Sequence, residues 1–244
     1  HPTAEIPVNL KNTNGYIPKQ DMVNVKFGEI KDLGNINLTP VSTKIYTAND
    51  LWDLRYADAT ETYNPTFQLM NDIDLEGFTI PDYHPEIMGY TEGDWFFEKS
   101  INNNAGYFPP INYFAANERY IYASINGNNN IIKNMTYINL GENNNENYLG
   151  LIQGIDSPVG SSLKEIKDLI VENFYLEMKY NNQAGMITGY LDNGRIENCH
   201  ATGTLINGGT TGGIVGSFYA GSNDNEEIRE CSFVGKLETS GYYG

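Results

Sequence analysis

Asp72 and Asp74 stand two apart within FQLMNDIDLEGF at 67–78, and on an extended segment their carboxylates share one face. A carboxylate pair of that kind is what a polysaccharide lyase or hydrolase built on parallel β-strands needs for acid and base steps. No Arg or Lys stands near them in the sequence, and Asp74 can instead satisfy backbone groups at a turn. Other chemistry is thin. The three histidines are His1, His84 and His200, and His-Glu-x-x-His, Gly-x-Ser-x-Gly and a phosphate loop are all missing. His200 follows Cys199, but neighbours on a strand face opposite sides, so the two do not form one site. Asn71-Asp72-Ile73-Asp74 and Asn223-Asp224-Asn225-Glu226-Glu227 offer the oxygen ligands that Ca²⁺ takes, without the spacing of a known calcium loop. The residues therefore point to a non-catalytic protein, with no catalytic residue, metal site or cofactor assigned.

Binding chemistry is better represented. Between 83 and 122 lies a dense set of aromatic residues, with Pro and Gly between them. The candidate contact residues are Tyr90, Trp95, Phe96, Phe97, Tyr107, Phe108, Tyr113 and Phe114. Two roles fit such a loop-rich insertion. It can pack as a small core on the flank of the fold, or it can present rings that stack on sugars and anchor a protein partner.

The elements that must position these residues repeat. AGMITGY at 184–190 leads to RIENCHATGTL at 195–205, and GGIVGSF at 212–218 leads to EIRECSFVGKL at 227–237. A looser copy, YLGLIQG at 148–154, leads to EIKDLIVENFYL at 165–176, and IIKNMTY at 131–137 supplies a fourth member. Aligned, Ile132, Ile166, Ile196 and Ile228 coincide, as do Met135, Leu169, Cys199 and Cys231. A period of about thirty residues with variable insertions means stacked units that bury their apolar faces against one another. Each unit reads as short strands broken by Gly, the pattern of a chain that turns a corner several times per repeat. The expected fold is all-β: a right-handed parallel β-solenoid (β-helix) in which the four isoleucines form one interior ladder and the Met135 set a second. Thr47 and Asp50 flank a helix start, with Leu51 and Leu54 on one face, so a short N-terminal helix is expected to cap the first coil. The chain divides into an N-terminal arm or small β segment, 1–43, and the solenoid, 44–244, with the aromatic loop insertion at 83–122.

The two Gly-rich runs and their following Ile-x-x-Cys resemble the GLUG motif. FQLMNDIDLEGF and SINGNNNIIKNMTY resemble the segments that precede such repeats, so the likeness spans roughly 45–237 and is best over 184–237. Two departures stand out: the first repeat has Leu169 where the motif has Cys, and the stretch from Asp82 to Tyr122 is far longer than the usual link. GLUG-type repeats occur in bacterial surface adhesins and in non-catalytic regions of secreted immunoglobulin-A proteases. The resemblance implies a secreted or cell-surface protein whose partner is a host glycan, a host protein or another copy of itself. Adhesion or partner binding is the leading reading; a structural stalk or self-assembling filament subunit and a carbohydrate-active enzyme are the alternatives.

Composition agrees with an extracellular setting. Over 244 residues, 31 Asp and Glu outweigh 15 Lys and Arg, a net charge of −16 that repels nucleic acid and anionic lipid. No apolar run reaches membrane-spanning length, so direct membrane insertion is not expected. The chain opens HPTAE, which suits a form trimmed of its export signal. Asn-rich runs at 102–104, 128–130 and 143–145 suit left-handed corners and side-chain amide ladders. Cys199 and Cys231, at equivalent positions, are expected as reduced neighbours inside the core.

Overall fold

The computed structural model describes residues 3–10, 19–26, 42–56, 65–79, 108–111, 123–139, 148–157, 162–178, 183–219 and 227–239. The chain begins with β1 (Thr3–Leu10), β2 (Lys19–Lys26) and β3 (Lys44–Ile45), then helix α1 (Ala48–Asp53). Next come β4 (Thr66–Leu69), β5 (Ile73–Asp74), β6 (Ser124–Asn126), β7 (Ile131–Lys133), β8 (Thr136–Asn139) and β9 (Tyr148–Leu149). The following group is β10 (Ile152–Asp156), β11 (Lys164–Lys167), β12 (Ile170–Met178) and β13 (Gln183–Ala184). The last is β14 (Thr188–Asp192), β15 (Gly194–Glu197), β16 (His200–Asn207), β17 (Val215–Tyr219), β18 (Glu227–Arg229) and β19 (Ser232–Thr239).

The fold is all-β with mostly parallel strands. Apart from the antiparallel pair β1–β2, every described pairing is parallel. The three larger sheets run β18-β15-β11-β6-β4-β3, β19-β16-β12-β7-β5 and β10-β14-β17. Each later segment adds one strand to each of these sheets, so β17, β18 and β19 end all three on the same side. Among the described residues no helix is long and apolar enough to cross a membrane.

In-register pairing stacks like on like. Phe67, Ile125, Ile166, Ile196 and Ile228 occupy one column, and all but Ile228 are buried. Full burial of each such side chain contributes about 1.5–3 kcal/mol. Ile228 stays 39% exposed because, among the described residues, no further strand lies beside β18.

Ile132 does not belong to this column. It pairs with Ile73 and Val171 in the neighbouring sheet, where Ala201 and Phe233 continue the row, and the true counterpart of Ile166 is Ile125. Met135 moves with it: Thr136 pairs with Tyr175, so Met135 lies beside Phe174 rather than Leu169. The reason is that the same local pattern serves two different strands, and the 165–176 segment contains it twice. An aliphatic residue, one polar residue and then Asn or Asp at a left-handed corner occurs at 132–134 and 171–173, and again at 166–168 and 196–198. Alignment by residue type slips by one strand between the two.

Those corners explain the asparagines. Asn134, Asn173 and Asn198 have φ of 63°, 54° and 50°, and Asp168 has φ of 52°. Asn and Asp tolerate this conformation better than other side-chain-bearing residues. The Asn173 amide donates to Asn134 Oδ1 at 2.8 Å, and the Asn134 amide donates to Asp74 Oδ1 at 2.7 Å, linking three neighbouring strands. Relative to β16, β12 holds one irregularity between Val171 and Phe174, at Asn173. Opposite Phe174 stands Gly203 at φ 149°, where a Cβ would collide with the Phe174 carbonyl oxygen.

At the start of the fold, Thr47 Oγ1 accepts from the Asp50 N–H at 3.2 Å while Asp50 Oδ2 accepts from the Thr47 N–H at 2.9 Å. This reciprocal box satisfies the Asp50 N–H in the first turn of α1 and that of Thr47 before it, and Leu51 and Trp52 of the helix are buried.

Candidate functional site

Of the aromatic candidates, Tyr90, Trp95, Phe96, Phe97, Tyr107, Tyr113 and Phe114 lie outside the described residues. Phe108 is described, and it corrects the expectation of a contact residue: it is fully buried. Its ring meets Trp52 edge-on at 5.7 Å and tilts against Phe78 at 5.2 Å. The Arg55 guanidinium carbon lies 3.9 Å from the Trp52 ring centre and 4.8 Å from that of Phe108. Arg55 also donates to the carbonyls of Trp52 at 3.1 Å, Pro110 at 3.2 Å, and Pro109. Two consecutive prolines supply acceptors but no N–H, and a buried arginine with several donors matches them. Ile111 N–H then donates to the Leu151 carbonyl at 2.8 Å, tying 108–111 to the sheet. The physical cause of the correction is this clamp, whose partners are more than fifty residues apart in sequence.

The carboxylate pair is already engaged. Asp72 Oδ1 accepts from the Ile131 N–H at 2.9 Å. Asp74 accepts from the Glu76 N–H at 3.0 Å and faces Lys133 Nζ at 3.1 Å, in addition to the Asn134 amide. The Glu76 N–H first, then Asn134 and Lys133, hold its carboxyl at about 2, well below the usual range. Although no lysine is near in sequence, β5–β7 pairing brings Lys133 alongside. Among the described residues no group of three or more His, Cys, Asp or Glu is arranged to hold a metal ion. Residues 223–226 lie outside the described set, and Glu227 pairs with Arg195 at 3.3 Å and with Arg229 at 3.3 Å.

Cys199 and Cys231 are free thiols at neighbouring positions, the first buried and the second half-buried. Each thiol donates to a backbone carbonyl, Cys199 to that of Glu197 at 3.2 Å and Cys231 to that of Arg229 at 3.1 Å. The two shift one another in opposite directions: Cys231 beside it, and then burial, raise the Cys199 thiol, and Cys199 lowers that of Cys231. Leu169 is buried one strand further in, and its carbonyl accepts from the His200 N–H at 2.9 Å. His200 points outward, 2.8 Å from Ser232 Oγ, so it takes no part in the thiol pair.

Sequence reasoning passed over a second aromatic feature. Tyr148 and Tyr190 stack at 5.0 Å with 30° between their planes, both partly exposed. Gly189 permits the approach, since a Cβ there would lie 2.8 Å from Tyr148 Cβ. On the same outward face Asp156, Asp192 and Tyr219 are neighbours in register, and Tyr190 OH donates to Asp192 Oδ2 at 3.4 Å. Burial, and then the Asp192 carboxylate, push the Tyr190 phenol up to about 12. Aligned by residue type, AGMITGY and GGIVGSF set Tyr190 against Phe218, whereas the register pairs it with Ser217, so no signal in the sequence pointed to the stack. Two flat rings beside two carboxylates can cover a sugar face and accept hydrogen bonds from its hydroxyls. Lys164 is a second residue not anticipated: it is buried, burial pushes its ammonium below the ordinary lysine range, and it donates to the Ser162 carbonyl at 2.9 Å.

In the comparisons with known proteins no family model, no curated protein and no solved structure matches the chain.

Proposed function

We propose that the chain is a non-catalytic β-solenoid module of the GLUG type, from a secreted or surface-attached bacterial protein, that binds glycan through the Tyr148–Tyr190 face. The solenoid reading is supported by three sheets that, from β10 onward, each receive one strand from every successive segment. The observation that bears the functional reading is the stacked tyrosine pair with Asp156 and Asp192 beside it. Stacked rings gain from the apolar face of a pyranose, and ionised acceptors strengthen the hydrogen bonds to its hydroxyls. The described part of the aromatic insertion does not compete for this role, because Phe108 is core. The carbohydrate-active alternative loses its motivating pair, since Asp74 is held by Glu76, Asn134 and Lys133.

A glycan array followed by titration calorimetry tests the proposal. Wild-type binding should be lost in Tyr190→Ala and weakened about tenfold in Asp192→Asn, with melting curves little changed for the second variant. An array without hits rejects the reading, as does a ligand retained by both variants. A stalk or assembly role is the second reading, favoured by the in-register stacking of equivalent strands along the fold.

A further inference from the structure

The stacked tyrosines lie beside groups that accept hydrogen bonds and carry negative charge. Gly154, Tyr190 and Ser217 form one row across the sheet, and two residues further along the same strands Asp156 stands next to Asp192. Among the described residues neither row holds a lysine or an arginine. Asp192 is held by two neutral donors: the Asn193 amide reaches Oδ1 at 2.8 Å, and the Tyr190 hydroxyl reaches Oδ2 at 3.4 Å. Such donors orient a carboxylate without cancelling its charge. Burial first, then Asp192, then Tyr148 and lastly Asp156 push the Tyr190 phenol up, so it keeps its proton and its ring stays neutral. Both carboxylates therefore act on the ring that Tyr148 stacks upon. Gln183 adds a third acceptor. It pairs in register with Tyr148, and its Oε1 is buried with no hydrogen-bond partner. Gly189 keeps these strands close, since a Cβ there would lie 2.6 Å from the Gln183 carbonyl oxygen.

This inventory selects a ligand by charge. A uronic or sialic acid would bring a further carboxylate to Asp156 and Asp192, like against like, on a chain whose net charge is −16. An N-acetylated sugar carries no charge and sets a carbonyl acceptor where the face already accepts. A protonated sugar amine answers both. It brings three donors, and its hydrogen bonds to carboxylates are roughly twice as strong as neutral ones. The faces of tyrosine rings attract the same cation. A donor that reaches Gln183 Oε1 also removes the cost of a buried acceptor left unpaired. We propose that this face binds glycans bearing free amino groups, of the de-N-acetylated hexosamine class, with a sugar ring on the tyrosines and its ammonium at Asp156 and Asp192, an inference that rests on the glycan-binding reading and adds the charge of the sugar to it.

Titration calorimetry of the full chain with three short oligosaccharides of equal length tests it: a glucosamine oligomer, its N-acetylated counterpart and a uronic acid oligomer. Mildly acidic buffer keeps the sugar amine protonated and ordinary aspartates ionised. The glucosamine oligomer should bind at least about tenfold more tightly than the N-acetylated one, and the uronate not at all. Asp156→Asn and Asp192→Asn should each weaken glucosamine binding about tenfold and leave the N-acetylated affinity unchanged, with melting curves showing that both variants fold. Tyr190→Ala should abolish binding of both. Glu172→Gln, on another sheet, should bind like wild type. Equal or tighter binding of the N-acetylated oligomer overturns the charge preference and leaves the glycan reading standing. No binding of the glucosamine oligomer also overturns it, while array hits among other sugars decide the glycan reading separately. A loss in Glu172→Gln as large as in Asp192→Asn shows diffuse attraction to an acidic chain and overturns it too. Undiminished binding by Tyr190→Ala overturns both.

Discussion

The side-chain amide of Asn198 donates to the Asp168 carboxylate at 2.7 Å, and both residues hold left-handed backbone at the same corner of adjacent strands. One side chain therefore does two things: it tolerates the corner, and it bonds to the corner beside it. Asn198→Ala loses both and should destabilise the protein by about 1–2 kcal/mol. Asn198→Gly keeps the conformation and loses the bond alone, so its cost should be the smaller. Paired urea melts decide, and an alanine variant as stable as the glycine variant rejects the account.

Ile196 and Ile228 share a column but not an environment. Ile196→Asp buries an unpaired carboxylate between two strands and should cost about 3–5 kcal/mol. Ile228→Asp, at the exposed edge, should cost much less, about 1–2 kcal/mol at most. Equal losses in thermal melts of the two variants would contradict the difference in burial.

Asp74 makes stability depend on acid. Its carboxyl titrates at about 2 in the folded chain, against about 3.9 in an unfolded one. Its contribution is therefore complete above about pH 4 and is lost as pH falls through about 2. Asp74→Asn should lower stability at neutral pH, and the gap from wild type should narrow steadily across that acid range. Denaturant midpoints measured at several pH values show the narrowing or its absence.

The thiols should differ in reactivity. Cys231 is half-buried with its thiol lowered by Cys199 beside it, while Cys199 is fully buried and raised. A disulfide reagent should modify one thiol per native chain, faster as pH rises, and the second only after unfolding. Mass spectrometry of the singly modified chain should place the label on Cys231. A chain with no titratable thiol after unfolding would show a disulfide in place of the pair.

What could be read in the amino-acid sequence was what depends on neighbours along the chain. The capping box of Thr47 and Asp50 spans one helical turn, so residue type and spacing suffice to place it. The recurrence of Ile166, Ile196 and Ile228 follows from segments of similar length, and parallel pairing puts them in one row. Ile132 failed that test because the same three-residue corner pattern serves two different strands, and local pattern carries no label for the sheet.

The rest was decided by contacts between distant segments. Nothing near Arg55 announces the carbonyls of Pro109 and Pro110, so Phe108 could read as a contact ring until the clamp around it was seen. Lys133 stands far from Asp74 in sequence and 3.1 Å away in the fold, which turns a candidate acid into a structural ion pair. The Tyr148–Tyr190 stack has the same origin. Sequence alone determined the repeat and its strand-forming residues. Tertiary pairing decided which side chains became neighbours, because hydrogen-bonded register between strands, rather than spacing along the chain, sets which residues lie opposite one another.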